Sequence, residues 1–264
     1  MDVTLTIALA QVQGSSDPFQ NLEKAHHLAA RAAQSGTKLL VFPEMFMGLP
    51  KGDQTPVSLA RHGYANFLKH LSSIAIDSGL NILAGIWEPS PDSHRAYNTA
   101  VLVDTQGKLL ATYRKLHLFD ALNVRESDTM KPGDAPPFVV SVEGFRVGVA
   151  ICYDLRFPEV FRYLADQGAQ LIVVPAGWYQ GSVKEELWLT LLQARAVENT
   201  VYIAGCNLIG HAFCGRSTVF DPFGIPIATA IEGEDCIIAV VSSARLRAVR
   251  EKLPCLENRR RDLF

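Results

Sequence analysis

Short runs of apolar residues alternate along the chain with stretches in which apolar residues recur every three or four positions. Continuous runs bounded by turn residues predict buried strands, and the three-to-four spacing predicts helices with one apolar face. The predicted strands cover residues 4–11, 38–42, 81–87, 97–104, 109–113, 138–142, 145–151, 170–174, 201–206, 217–220, 225–230 and 236–241. The predicted helices cover residues 20–34, 58–78 and 184–198, with another helix after Pro158.

The order of these elements indicates a mixed α/β protein. The segments 104–107 and 143–144 have the glycine-containing composition of hairpin turns, and Gly79 is the predicted end of the helix 58–78. No linker rich in Pro, Gly or Ser divides the 264 residues, of which 48% are hydrophobic. One α/β domain over residues 1–264, with two packed sheets and helices outside, would bury the apolar faces.

The charge and the cysteine content of the chain indicate which binding partners and which cellular compartment to expect. The 25 basic and 27 acidic residues give a formal charge of −2 and are spread along the chain, so no nucleic-acid or membrane partner is expected. The N-terminus lacks the basic start of a secretory signal. Five irregularly spaced cysteines favour reduced thiols and therefore a cytoplasmic protein. Cys206, His211 and Cys214 lack the paired spacing of a zinc site, so no metal is expected.

Three predicted strands end next to a chemically reactive side chain. Cys152 ends the run 145–151, Glu44 follows the strand 38–42, and Lys115 follows the strand 109–113. A thiol between a strand and a helix lies near backbone N–H groups, which suits a nucleophile. A single free cysteine more often packs as a small hydrophobic residue. The prediction of an active site therefore depends on the three strand ends together.

The segments around these residues resemble those of the carbon-nitrogen hydrolases of the nitrilase superfamily, whose active site is a Glu-Lys-Cys triad in this chain order. The matching segments are Phe42-Pro-Glu44, Tyr113-Arg-Lys115-Leu-His-Leu-Phe119 and Cys152-Tyr-Asp-Leu-Arg-Phe-Pro-Glu159. The resemblance implies a four-layer α-β-β-α sandwich. It also implies a second glutamate beside the lysine, for which Glu126 is the candidate and Asp128 a nearby competitor.

Members of this superfamily commonly form dimers in which two sandwiches stack into eight layers, so a homodimer is expected. The helix after Pro158 and the helix from Lys184 carry more apolar residues than one sheet-facing stripe needs. Ordinary core packing would also explain these residues.

Amide hydrolysis needs a nucleophile, a proton carrier and a group that stabilises the oxyanion. We expect Cys152 to be the nucleophile and Glu44 the proton carrier, and the resemblance assigns the oxyanion to Lys115 and the backbone N–H of Tyr153. With ordinary acidities, moving a thiol proton to a carboxylate costs about 6 kcal/mol. We therefore expect a closed pocket and a positive field that lowers the pKa of Cys152. No metal or organic cofactor is required.

The residues after the thiol also bear on the substrate. Nitrile-cleaving members typically follow the cysteine with Trp-Glu, whereas this chain has Tyr153-Asp154, which is similar to the family's omega-amidases and deaminated glutathione amidases. The resemblance implies a linear, carboxylate-bearing amide such as 2-oxoglutaramate as the small-molecule substrate. Arg156 would receive the carboxylate or else form a salt bridge that fixes the turn. Trp178 and Tyr179 are candidate walls of the pocket, and Arg195 is expected to support the site.

Several alternatives remain open from the sequence. An N-carbamoyl amine or amino-acid hydrolase would use the same triad on a ureido group, and a nitrilase is the third possibility within hydrolases. His117 could pair with Cys152 in a cysteine-histidine dyad. Glu44 would then be an ordinary helix or loop carboxylate, and Lys115 a solvated base like Arg114. A non-catalytic binding protein would be expected to have lost one triad residue, and this chain retains all three.

Overall fold

A computed structural model describes residues 2–210 and 212–263. Its strands are β1 (Thr4–Gln11), β2 (Leu39–Val41), β3 (Asn81–Pro89), β4 (Ala96–Val103), β5 (Leu109–Arg114), β6 (Asp120–Ala121), β7 (Val124–Arg125), β8 (Val139–Val142), β9 (Phe145–Val149), β10 (Leu171–Ala176), β11 (Tyr202–Asn207), β12 (Ile209–Gly210), β13 (Phe213–Cys214), β14 (Thr218–Phe220), β15 (Pro226–Thr229) and β16 (Asp235–Ser242). Its α-helices are α1 (Pro18–Gln34), α2 (Pro56–Ser78), α3 (Pro158–Asp166), α4 (Lys184–Asn199) and α5 (Ser243–Lys252). Two 3-10 helices cover Glu126–Asp128 and Cys152–Arg156.

Two six-stranded sheets form the centre of the fold. The first has the order β16-β1-β2-β3-β4-β5 and the second the order β15-β14-β11-β10-β9-β8. Strands β1, β2 and β3 are parallel to one another, as are β9, β10 and β11. Apolar side chains alternate between the two faces of β1, so that Ile7 packs toward the second sheet and Ala8 toward the helices.

Helices cover the outer face of each sheet. Leu22 of α1 and Phe67 of α2 share a buried cluster with the outward residues of the first sheet. Phe161 of α3 and Trp188 of α4 pack on the second sheet. The predicted four-layer α-β-β-α sandwich is therefore confirmed. None of the helices in the described ranges is both long and apolar enough to cross a membrane.

Helix α2 begins two residues earlier than the sequence predicted, because of its capping residues. The apolar pattern begins α2 at residue 58, but the helix starts at Pro56, where Thr55 and Ser58 form a reciprocal capping box. Proline has a fixed φ that suits the first helical turn, so the helix extends two residues further than its apolar pattern. Gly79 ends α2 in the left-handed conformation, at φ 66°, as predicted.

The sequence prediction missed α5. This helix contains five charged residues among ten, and only Leu246 and Val249 are buried. Its apolar pattern is too sparse to distinguish a helix from a polar loop. The two-residue ladders β6–β7 and β12–β13 were also missed, because a strand of two residues has no alternation to detect.

The strand directions bring three candidate residues to one edge of the molecule. Because β4 is antiparallel to both β3 and β5, β5 runs in the same direction as β2. The carboxyl ends of β2 and β5 therefore lie at the same edge of the first sheet. Glu44 and Lys115 follow those ends, while Cys152 follows β9 of the second sheet.

Candidate active site

The structure brings the predicted carboxylates and amine into direct contact. The Nζ atom of Lys115 lies 2.8 Å from Oε1 of Glu44, and 3.0 and 2.9 Å from the two carboxylate oxygens of Glu126. The side chains of Glu44 and Lys115 are each 1% exposed. Cys152 is also buried, and it lines one cavity together with Glu44 and Glu126. Residues more than 100 positions apart in the chain thus meet beside one thiol.

Glu44 is held as an acceptor by donors from three elements. Asn98 of β4 donates from Nδ2 to Oε1 at 2.7 Å, and the backbone N–H of Gly177, just after β10, donates to Oε2 at 2.7 Å. The third donor is Lys115. These bonds fix the orientation of the carboxylate and stabilise its charge in a buried site. The sequence did not identify Asn98 or Gly177, since neither belongs to a recognisable motif.

Cys152 is the first residue of the 3-10 helix that follows β9, and its backbone is strained. Its φ is +44°, in the left-handed region that non-glycine residues rarely adopt. Met45, next to Glu44, is also left-handed, with φ +57°. Such strain persists only where the surrounding structure enforces it, and it concentrates at functional sites.

Asp154 stabilises the turn that carries the thiol. Its Oδ2 accepts hydrogen bonds from the backbone N–H of Ile151 at 2.9 Å and from the hydroxyl of Tyr113 at 2.8 Å. Its Oδ1 accepts from Nδ1 of His117 at 2.7 Å. Because Tyr113 and His117 flank Lys115, Asp154 links the lysine segment to the cysteine segment. The sequence analysis did not assign this role to Asp154.

Arg195 of α4 supports the same turn from the other side. Its Nε and Nη2 atoms donate to the carbonyl oxygen of Leu155 at 3.0 and 2.8 Å. Its Nη1 atom donates to Glu198 at 2.9 Å, so the guanidinium charge is paired. The expected supporting role of Arg195 thus has a direct structural counterpart.

Burial and the neighbouring charges shift the pKa values of the site residues in opposite directions. Burial alone would lower the pKa of Lys115, but the negative charges of Glu44, Glu126 and Cys152 hold it well above its usual value. Burial raises the pKa of Glu126, against the attraction of Lys115. Lys115 is therefore a stable ammonium group in the resting site.

The expected acidity of Cys152 needs correction. We expected a positive field to lower the pKa of the thiol, and Lys115 does act in that direction. Burial and the negative charge of Glu44 outweigh it, so the pKa of Cys152 lies well above its usual value. The thiol is consequently protonated at neutral pH, with a carboxylate beside it.

The cavity beside Cys152 contains all of the predicted substrate-binding residues. Its empty space measures about 390 Å³, a volume that includes open solvent at the mouth. Tyr153, Arg156, Trp178 and Tyr179 line it, as predicted. The sequence did not identify the remaining lining residues, which are Met45, Phe119, Gly177 and Lys184.

The structure also distinguishes the alternatives for individual residues. His117 binds Asp154, stacks on Phe157 with ring centroids 3.6 Å apart, and does not line the cavity. The arrangement therefore gives no support to a cysteine-histidine dyad. Asp128 is 64% exposed and pairs with Arg125, whereas Glu126 contacts Lys115, so Glu126 is the carboxylate beside the lysine.

No cluster of three or more metal-binding side chains occurs among residues 2–210 and 212–263. His211, part of the rejected zinc pattern, lies outside the described residues.

The chain is similar in sequence and in structure to known proteins of one family. The carbon-nitrogen hydrolase family matches residues 6–251. The deaminated glutathione amidase of Escherichia coli O157:H7 is 37% identical over 257 residues, which cover 97% of each protein. The NitN amidase of Nesterenkonia sp. AN1 superimposes with a TM-score of 0.86 at 30% identity, and 98% of each chain is covered.

A variant of the Nesterenkonia amidase carries the acetamide moiety of fluoroacetamide covalently on its active-site cysteine, and its structure matches with a TM-score of 0.83 at 30% identity, over 98% of this chain and 95% of that one. The identity and coverage of these matches are high enough to establish common family membership. The chain therefore belongs to the carbon-nitrogen hydrolase family, within the amidases of the nitrilase superfamily, and is a hydrolase of carbon–nitrogen bonds other than peptide bonds.

Proposed function

We propose that the protein is a cysteine-dependent amidase that converts a small, linear, carboxylate-bearing amide to an acid and ammonia. The observation that carries this proposal is the buried contact of Lys115 with Glu44, which lines the same cavity as Cys152. A nucleophile, a proton carrier and a cation are the groups that amide hydrolysis requires.

In the first half of the reaction, Sγ of Cys152 attacks the amide carbonyl carbon while Glu44 removes the thiol proton. Because the pKa of Cys152 is raised, this proton leaves during the attack rather than before it. Lys115 stabilises the negative charge that develops on the carbonyl oxygen. Glu44 then gives the proton to the amide nitrogen, the carbon–nitrogen bond breaks, and ammonia leaves a thioester on Cys152.

In the second half, water enters the position that ammonia has left. Glu44 accepts a proton from the water as its oxygen attacks the thioester carbonyl carbon. The carbon–sulfur bond breaks, the sulfur regains its proton from Glu44, and the carboxylic acid leaves. Glu126 holds Lys115 in place through both halves, since its carboxylate contacts the ammonium group with both oxygens.

The preferred substrate in this proposal is 2-oxoglutaramate, an omega-amide with a carboxylate at its far end. Arg156 supports this choice, because its guanidinium lines the cavity and forms no salt bridge within the described residues. The alternative role, a salt bridge that fixes the turn, would need a carboxylate partner, and Arg156 has none within the described residues.

Deaminated glutathione is the second candidate substrate, and the relative from Escherichia coli favours it. This compound attaches a 2-oxoglutaryl group to cysteinylglycine, so it would form the same thioester as 2-oxoglutaramate. The two candidates differ in the leaving group, which is ammonia in one case and a dipeptide in the other.

A substrate panel tests the proposal. Turnover of 2-oxoglutaramate, deaminated glutathione, simple aliphatic amides, N-carbamoyl compounds and nitriles is measured at equal concentration, with intact-mass analysis to trap the thioester. We expect the highest kcat/KM for one of the two 2-oxoglutaryl compounds. Turnover of N-carbamoyl compounds without turnover of 2-oxoglutaramate would contradict the omega-amidase proposal, and the absence of any turnover would indicate a binding protein.

Two cysteine variants provide the control for the nucleophile. Cys152→Ala should abolish turnover and adduct formation while the protein remains folded. Cys255→Ala removes an exposed thiol and should retain the activity of the unsubstituted protein. Hydrolysis by the Cys152→Ala variant would exclude Cys152 as the nucleophile.

A further inference from the structure

Lys184 is a second cation in the cavity and was not identified from the sequence. It is the first residue of α4 and lines the cavity together with Arg156 and Cys152. Neither Lys184 nor Arg156 forms an ion pair with a carboxylate in the part of the chain that the structure describes. The two carboxylates of the cavity, Glu44 and Glu126, are already bound to Lys115.

Trp178 connects the two cations. Its indole Nε1 donates a hydrogen bond to the backbone oxygen of Lys184 at 2.9 Å. The guanidinium carbon of Arg156 lies 5.0 Å from the centroid of the same ring system. Trp178 is almost fully buried, so it is a fixed support for both. The Nζ atom of Lys184 lies 5.4 Å from the ring centroid of Phe119, which also lines the cavity.

The charge of the cavity also favours an anionic ligand. Two carboxylates, Glu44 and Glu126, line the cavity together with two cations, Arg156 and Lys184. Lys115 contacts both carboxylates from behind the lining, so the five groups together carry a net positive charge. Arg156 and Lys184 both contact Trp178, and the charge of Arg156 adds to burial in lowering the pKa of Lys184. An anion between them would relieve this repulsion.

We infer that Lys184 and Arg156 together form the receptor for the carboxylate at the far end of the acyl chain, and that Lys184 determines specificity for anionic over neutral amides. This inference rests on the proposed amidase function and adds a residue that selects its substrate. Aromatic rings on both sides would hold the carbon chain, and the cations would hold its charged end. Trp178 is a positioning residue, because it acts through the two cations.

The test compares two amides of equal length, one with a terminal carboxylate and one without, such as glutaramate and pentanamide. The measured quantity is the ratio of their kcat/KM values. In Lys184→Met we expect this ratio to fall at least about tenfold, mainly through a higher KM for glutaramate, because a charge-assisted hydrogen bond is lost. Lys184→Arg keeps the charge and should restore most of the ratio.

A control variant and an inhibition measurement show whether an effect of Lys184→Met is specific to the carboxylate of the substrate. Lys69→Met removes an exposed lysine of α2, in the helical layer of the other sheet, and should keep the ratio of the unsubstituted protein. Glutarate, a product-like anion, should inhibit the unsubstituted protein competitively and inhibit Lys184→Met at least about tenfold more weakly. An unchanged ratio and unchanged inhibition in a folded Lys184→Met variant would overturn the inference.

Failure of the proposed function would give a different result. If the unsubstituted protein hydrolyses neither of these amides, nor 2-oxoglutaramate, nor deaminated glutathione, the amidase proposal itself is wrong. If it hydrolyses them and Lys184→Met and Lys184→Gln both keep its selectivity, only the role of Lys184 is wrong. Use of two variants guards against a folding defect in one of them.

Discussion

Cys152 combines a strained backbone with a protonated side chain. Burial and the negative charge of Glu44 raise its pKa, so the resting thiol is neutral. Many reactive cysteines are activated in the opposite way, by a positive environment that stabilises the thiolate. In the proposed mechanism the nucleophile depends on a carboxylate that removes its proton during the attack. The chemistry is therefore controlled by the position of Glu44.

This state of the thiol can be measured directly. The thiolate absorbs at 240 nm, so the difference in absorbance between the unsubstituted protein and Cys152→Ala reports the ionisation of Cys152. Because the folded pKa is raised, we expect no titration in this difference between pH 6 and pH 8. A step with a midpoint below pH 7 would show that Cys152 is a thiolate at rest, contrary to this prediction.

Glu126 and Asp128 offer a matched pair for the accessory carboxylate. Glu126→Gln removes the charge that faces Lys115, and we expect kcat to fall about 10²-fold or more, as when one transition-state contact is lost. Asp128→Asn changes an exposed carboxylate two residues away and should keep kcat within about twofold of the unsubstituted protein. Steady-state kinetics with the best substrate measures both, and equal losses in the two variants would refute the assignment.

The loop after β2 depends on a close approach to β3. Gly85 of β3 lies under this loop, and its backbone N–H donates to the carbonyl oxygen of Pro43 at 3.0 Å. A Cβ atom at position 85 would lie 2.5 Å from Cα of Glu44 and 2.7 Å from the backbone nitrogen of Met45. Glycine is therefore required here by the neighbouring backbone, which cannot move away as a flexible side chain would.

Substitution of this glycine should displace Glu44 without removing it. For Gly85→Ala we expect an overpacking cost of about 1–3 kcal/mol in the free energy of unfolding. We also expect about a 100-fold loss of kcat/KM, since a shift of about 1 Å is enough to misalign a catalytic group. Thermal melting and kinetics measure the two effects.

Gly48→Ala is the control for this prediction. A Cβ atom at position 48 would lie 3.4 Å from the side chain of Leu59, an ordinary contact. Gly48→Ala should therefore keep most of the activity. Equal activity in the two alanine variants would contradict the proposed role of Gly85.

The sequence predicted the elements with a clear apolar period and the side chains at their ends. Glu44, Lys115 and Cys152 could be found because each follows a buried strand within a recognisable segment. Asn98 could not, because it lies inside β4 and its importance comes from a hydrogen bond to a residue 54 positions away. Lys184 was missed for a similar reason, since a lysine at a helix start is usually solvated.

The outer faces of α3 and α4 bear on the proposed homodimer. Phe161 and Trp188, two of the apolar residues on the helices that suggested an interface, are buried in the core of the chain itself. Tyr163 of α3 and Leu187 of α4 are 37% and 36% exposed, so a second copy could cover each of them. The homodimer stays a prediction, and only the exposed residues support it.

Light scattering during size-exclusion chromatography tests this prediction. With a chain mass of 29.0 kDa, we expect twice that value, about 58 kDa. Tyr163→Arg combined with Leu187→Arg should shift the mass to that of one chain. Val240→Arg, on β16, changes another exposed apolar residue and should leave the dimer intact. A mass of one chain for the unsubstituted protein would refute the homodimer.

The reacting groups come from both sheets of the sandwich. Glu44 and Lys115 follow strands of the first sheet, whereas Cys152 and Gly177 follow strands of the second. The gap between base and sulfur is thus set by the thickness of the interior, which side chains such as Ile7 and Val147 fill. Smaller or larger side chains at those distant positions would change the distance between the two sheets and lower turnover in a protein that still folds. Turnover would therefore report on the spacing of the two sheets.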